Sequence, residues 1–209
     1  MIRNNKGTIL PVAFLLTLLV LAFATANIAK SLIAYRKLQF RNKGYLCTQD
    51  TVRLVERYYT VQSRLNRAVQ AAYWTKTVIK IPAVYAAAVA AHRALMFAQQ
   101  VYHLSYLKNV AKSKYCNWKN TGHFAISTPV ELVASTFLKR DFDGTLFFRK
   151  KWKNYLVFTA NGPMTMARDS FAIETEFSLI KGVITHSFTL SSKEINSEAL
   201  WKLKRLVGL

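Results

Sequence analysis

Acidic residues are scarce in this chain: ten Asp and Glu stand against thirty Lys and Arg, a formal charge of +20 over 209 residues. Such a balance favours anionic surroundings, whether lipid headgroups, envelope polymers, nucleic acid or an acidic protein. The basic residues fall in twos and threes, as in "YRK", "FLKR" and "FRKKWK", and not in the long basic tail of many nucleic-acid binders. Cysteine is nearly missing. Cys47 and Cys116 are too few for a disulfide scaffold or a self-contained zinc site. They form one structural disulfide if the chain is exported, or two unpaired thiols in a reducing compartment.

Catalytic signatures are also lacking. There is no Gly-rich phosphate loop, no G-x-S-x-G, no H-E-x-x-H and no paired-cysteine zinc pattern. His92 and His103 share a helix face, but about 16 Å of axial rise between them prevents joint binding of one ion, which leaves packing or hydrogen bonding. Asp141 and Asp143 in "RDFDG" are a candidate carboxylate pair for acid–base chemistry or cation binding. Beside an Asp-Gly dipeptide, the simpler role is to form a turn. The expectation is a non-enzymatic protein with no cofactor, no metal and no small-molecule substrate.

What the sequence does have is a long apolar run. Gly7 to Ala29 contains no charged side chain, and about 23 helical residues rise roughly 34 Å, enough to cross a bilayer. A basic start and the small residues Ala22, Ala24 and Ala26 also fit a secretory signal cut after Ala26, which would yield a secreted chain. Against removal, apolar spacing continues through Ile28, Leu32, Ile33, Tyr35 and Leu38. The run also exceeds the ~7 to 15 residues of a signal core. Retention as a transmembrane helix is the favoured reading, with Ala22, Ala24 and Ala26 as a candidate close-packing face.

A short basic leader ending "NNKG" ahead of a long apolar helix resembles the start of type IV prepilins and pseudopilins. "KGTILPVAFLLTLL" followed by "AYRKLQ" is similar to the minor pseudopilins of tight-adherence pilus assembly, over about the first forty residues. The resemblance implies cleavage after Gly7, a mature chain beginning at Thr8, and partners among pilin-like subunits or an assembly platform. It also implies an inner-membrane anchor with the C-terminal part on the periplasmic or extracellular side. One departure is Val12, where major pilins carry a glutamate that pairs with a neighbouring subunit's free amine. A buried ammonium without that partner is costly, so Val12 points to a minor or assembly protein and away from a major fibre subunit. Pro11 is tolerated in a first helical turn.

The flanking charges disagree with that orientation. Arg3 and Lys6 precede the span, whereas Lys30, Arg36, Lys37, Arg41 and Lys43 follow it, and by the positive-inside count the bulk would face the cytoplasm. Large following domains translocate largely regardless of charge, so the external placement implied by the resemblance is kept as the expectation.

Past the apolar run, "NKG" at Asn42 to Gly44 predicts a helix break, with Thr48 or Asp50 capping a new helix from about Thr51. Its expected seam is Leu54, Tyr58, Val61, Leu65, Ala68 and Ala72. Pro82 opens a second, alanine-rich helix and completes a helical hairpin. Arg93 near its centre argues against a second membrane span. Beyond Cys116, aromatic and β-branched segments separated by Asp-Gly, Asn-Gly and Lys-Gly predict an antiparallel sheet of four or five strands. In "FAIETEF", Phe171, Ile173 and Thr175 fall on one side, and Ala172, Glu174 and Glu176 on the other. A helical insert is expected at 130–138, and a short terminal helix carrying Leu200, Trp201, Leu203 and Leu206.

The predicted organisation is α+β: a leader at 1–7, a transmembrane helix at 8–43, a helical hairpin at 44–116 and an antiparallel sheet domain at 117–209. "FFRKKWKNYLVF" reads as two strands joined by a turn carrying Arg149, Lys150, Lys151, Trp152 and Lys153. This is a candidate patch for nucleic acid or an anionic envelope polymer, because an indole among cations can stack on a base or settle into headgroups. It supports the alternative of a secreted or anchored basic binding module. Equally, charges at such a site blunt an exposed strand edge.

Overall fold

The computed structural model describes residues 6–116, 121–134, 136–159 and 170–191. The chain is α+β and divides into two units, Met1–Asn42 and Lys43–Leu209. Helix α1 spans Lys6–Val78 and helix α2 spans Pro82–Ala111. Six strands follow: β1 (Thr121–Ala125), β2 (Leu132–Ala134), β3 (Phe137–Leu138), β4 (Lys151–Thr159), β5 (Ser170–Ile180) and β6 (Val183–Ser191). The C-terminal helix expected around Trp201 lies outside the described residues.

In the first unit, every side chain from Pro11 to Gln39 is exposed. Three of its aliphatic hydroxyls are satisfied locally: Thr17 donates to the Phe14 carbonyl at 2.8 Å, Thr25 to Ala22 at 2.9 Å and Ser31 to Asn27 at 2.9 Å. Hydroxyls bonded to their own helix present little unsatisfied polarity to an apolar solvent.

The expected break at Asn42 to Gly44 does not occur, for α1 is helical throughout that stretch. Gly44 serves packing: a Cβ there would lie 2.5 Å from Phe171 Cζ, so its absence lets the stacked Phe158–Phe171 pair settle on the helix. Neither Thr48 nor Asp50 is a cap. Thr48 and Thr51 are buried and donate to the Gly44 and Cys47 carbonyls at 2.9 Å each, and Asp50 accepts from the Ser113 hydroxyl.

The second helix starts as read, with Pro82 in its first turn after Ile81 in an extended conformation. Cys47 and Cys116 form a disulfide that ties α1 to the chain just beyond α2. The buried seam of α1 is rotated from the expected one. Tyr58 is shared, but the fully buried neighbours are Val55, Gln62 and Val69 in place of Leu54, Val61 and Ala68. Two of these three are valines, and Gln62, which donates to the Gln99 carbonyl across the hairpin, takes the inward place of an aliphatic residue.

β1, β4, β5 and β6 form one antiparallel sheet in the order β1-β4-β5-β6. β5 buries Phe171, Ile173, Thr175 and Phe177 and exposes Glu176 as read, but Ala172, expected on the outer side with Glu176, is buried as well. The β5–β6 hairpin turns at Lys181-Gly182, both with positive φ (50° and 80°), as a two-residue turn matched to strand twist requires. The helical insert expected at 130–138 is instead the antiparallel β2–β3 pair, continued by bridges Val130–Phe148 and Arg140–Leu146. Its apolar spacing imitates a helix, yet Val133 and Phe137 point to solvent while Val130 and Leu138 are buried. The core joins Val52, Val55 and Tyr58 of α1, Tyr106 and Val110 of α2, and Val130, Leu138, Leu146, Trp152 and Phe177.

Candidate functional site: interaction surfaces

Three regions bear on function: the apolar part of α1, the basic segment at the start of β4, and the polar seam inside the hairpin. α1 is long and apolar enough to cross a membrane, and none of its most apolar window is buried within the protein. Gly7 and Thr8 lie in the first turns of this helix. Ala22, Ala24 and Ala26 are all exposed, but they do not make one face. At about 100° per residue, Ala22 and Ala26 lie together and Ala24 points to the far side. Ala29 extends the Ala22–Ala26 face by a further turn, and the heptad spacing of Ala22 and Ala29 is the signal that reveals it.

The basic segment is not the surface its composition suggests. Trp152 is only 4% exposed and stacks on Phe177, ring centroids 5.2 Å apart. It cannot receive a base or a headgroup. Period-two alternation on β4 sends Trp152 into the core, between Lys151 and Lys153 on the outer face. Lys153 is engaged there, its Nζ 2.7 Å from Glu174 Oε1 and 4.0 Å from Glu176 Oε2. The hydrogen bond to Glu174 holds its ammonium above the usual lysine range. Arg149, Lys150 and Lys151 remain, the last two exposed, without the indole that the sequence pattern offered them.

Sequence reasoning missed the polar seam. Tyr58 Oη lies 2.9 Å from His103 Nδ1, and Gln62 donates to the Gln99 carbonyl at 2.9 Å. Gln99 Nε2 donates to Asn66 Oδ1 at 3.2 Å, and Asn66 Oδ1 also accepts from the Leu146 amide at 2.6 Å. Arg140 donates to Gln99 Oε1, to the Gly144 carbonyl at 2.8 Å and to the Met96 carbonyl at 2.9 Å. This links α1, α2 and the β3–β4 segment through uncharged oxygens. Burial pushes the His103 imidazole below its ordinary pKa and the Tyr58 and Tyr106 phenols above theirs. The readable signal was polar residues at helical spacing, Gln62 with Asn66 and Gln99 with His103, on otherwise apolar helices.

His92 and His103 both have packing roles. His92 Nε2 donates to the Asp143 carbonyl at 2.8 Å, since a carbonyl can only accept. Asp141 and Asp143 form the turn: Asp141 Oδ1 accepts from the Phe142 amide at 2.8 Å, and Asp143 Oδ1 from the Thr145 amide and hydroxyl at 2.9 and 2.6 Å. Gly144, at φ 86°, closes against Met96 and His92, where a Cβ would not fit. Among the described residues no group of three His, Cys, Asp or Glu is placed to hold a metal. No family model, curated protein or solved structure matches the chain.

Proposed function

We propose that this chain is a membrane-anchored, non-enzymatic assembly component of the minor pseudopilin kind, serving a tight-adherence pilus, a type IV pilus or a related secretion assembly. The observation that carries the reading is the fully exposed apolar stretch of α1, whose hydroxyls bond to their own backbone. Such a surface is stable where lipid or other apolar helices are the solvent. Its work is mechanical. The helix waits in the inner membrane, and its Ala22–Ala26 face packs against neighbouring pilin-like helices or an assembly platform. The second unit is displayed on the periplasmic or extracellular side. The Cys47–Cys116 disulfide supports that side against the flanking-charge count, because disulfides persist in oxidising compartments.

The processing step of this reading rests on Gly7 and Thr8. Replacing Gly7 with leucine is expected to leave a membrane-bound precursor that begins at Met1, where the wild type begins at Thr8. Mass spectrometry of the membrane fraction reads the difference. Unaltered processing and filament assembly in Gly7→Leu defeat the prepilin element. The alternative of a basic binding module loses its aromatic contact through the burial of Trp152 and one cation through the Lys153–Glu174 pair.

A further inference from the structure

Within the first unit, the character of α1 changes where its uncharged stretch ends. Four cations follow in twelve residues, Lys30, Arg36, Lys37 and Arg41, and no Asp or Glu precedes Asp50. The helix offers them no carboxylate of its own, since Asp50 lies about 13.5 Å beyond Arg41 along the axis. At about 100° per residue, Lys30, Lys37 and Arg41 fall within an arc of about 40°. Ile28, Leu32 and Tyr35 fall on the opposite side, 64%, 49% and 60% exposed. One stretch of helix thus carries a basic strip and an apolar strip back to back, and both are exposed.

Height along the axis matters as much as side. From Gly7 to Tyr35 the helix rises about 42 Å, the thickness of a bilayer with its headgroup regions. Tyr35 then sits among the headgroups, as interfacial tyrosines do. Lys30 is about 7.5 Å deeper, at the base of the headgroup region, and its long stem lets the ammonium rise toward the phosphates. Arg36 and Lys37 lie within about 3 Å of the level of Tyr35. Arg41 is about 9 Å beyond it, near one Debye length at physiological salt.

Two kinds of partner suit a basic strip, an acidic protein or an anionic membrane, and the order of residues favours the membrane. Going outward, the helix presents exposed apolar side chains first and cations after them. A phospholipid presents its acyl chain and then its phosphate in that same order. The strip also continues directly from the stretch that lipid solvates, so headgroups already stand beside it.

We infer that the Lys30–Lys37–Arg41 strip of α1, with Arg36 beside it, is a binding surface for anionic phospholipid in the leaflet at the Asn42 end of the first unit. The lipid it fits has a phosphate and no ammonium, as phosphatidylglycerol does, because a zwitterionic headgroup brings a cation that the strip repels. This rests on the reading of α1 as a membrane helix. It depends neither on cleavage at Gly7 nor on which side of the membrane that leaflet faces. Anionic lipid gathered there holds the helix at one depth. One cation near an anionic surface is worth roughly a fivefold preference.

Spin-labelled lipids test this with the full chain reconstituted in phosphatidylcholine vesicles. Electron paramagnetic resonance separates lipid held against the protein from lipid in the bulk bilayer, for spin-labelled phosphatidylglycerol and spin-labelled phosphatidylcholine in turn. The first should associate at least about fivefold more strongly than the second at low salt. Changing Lys30, Lys37 and Arg41 together to glutamine, a residue of similar helix propensity, should bring that ratio below about twofold. Changing Lys80, Lys108 and Lys112 to glutamine removes the same charge from exposed positions of the second unit and should leave the ratio as in the wild type. Equal association of the two lipids with the wild type would overturn the inference and leave an acidic protein as the strip's partner. The membrane helix would stand in that case, because both lipids would still show a component held against the protein. An equal fall in both triple variants would also overturn it, by making net charge and not the strip responsible. A held component missing for both lipids would contradict the membrane helix itself, and this inference with it.

Discussion

Two parts of this chain treat water in opposite ways. In the first unit Phe23 is 72% exposed and Leu19 is 67% exposed, whereas in the second Gln62, Gln99 and His103 are all fully buried. In a protein surrounded only by water, both choices are unfavourable. The polar burial is offset in part, because Gln62 donates to the Gln99 carbonyl, Gln99 to Asn66 and Arg140 to Gln99, and Asn66 accepts from the Leu146 amide, while Gln62 Oε1 and His103 Nε2 have no partner among the described residues. The apolar exposure has no such internal offset, and in the proposed reading lipid supplies it. Exposure in the first unit thus speaks of the solvent, and burial in the second of pairing.

The largest effect should come from the device that holds the second unit together. Changing Cys47 and Cys116 to serine frees a segment with a sequence separation of 69 residues, for which loop-closure entropy predicts a loss of about 4 kcal/mol. A denaturant titration of the detergent-solubilised protein reads that loss, while the first unit should remain in the membrane fraction. A smaller effect separates the two kinds of exposed apolar residue. Leu19→Lys should cost about 2.5 to 3.5 kcal/mol of insertion at the centre of the span and raise the extractable fraction. Val133→Lys, at the still more exposed position of 76%, should leave both partitioning and stability within about 0.5 kcal/mol of wild type. Equal responses at the two sites would erase the distinction.

The smallest and most local effect concerns the buried polar seam. His103 is held neutral by burial, its Nδ1 facing the Tyr58 hydroxyl and its Nε2 without a partner among the described residues. The unfolded chain therefore takes up a proton first as pH falls. Stability is complete above the ordinary histidine pKa, about 6.5, and declines on acidification below it. His103→Gln should remove that part of the decline, measured as thermal midpoints compared at pH 7.5 and pH 5.5. An unchanged acid slope would show that the seam is not where the proton binds.

Much of this contrast was legible before the structure, but unevenly. The apolar run, Pro82 at the head of α2, the alternation of β5, the Lys181-Gly182 hairpin and the turn role of Asp143 all follow from local rules, and local rules sufficed. The errors fall where a distant partner decides. Gly44 reads as a breaker until Phe171 is placed against it. The stretch 130–138 has helical apolar spacing, but Phe147 and Phe148 offer it strand partners. Trp152 looks like a surface aromatic among cations until the pleat of β4 turns it onto Phe177. The α1 seam was drawn one position away, through Leu54, Val61 and Ala68, since nothing local says that Gln62 and Asn66 have Gln99 waiting opposite them.

The central claim is that the apolar first part of α1 stays in the finished protein and resides in lipid. Intact-mass measurement of the native protein, made on carbonate-washed membranes and on the soluble fraction, tests it most directly. The account predicts a membrane-retained chain that begins at Thr8 and carries the whole apolar stretch. A soluble species beginning at Asn27 would contradict it.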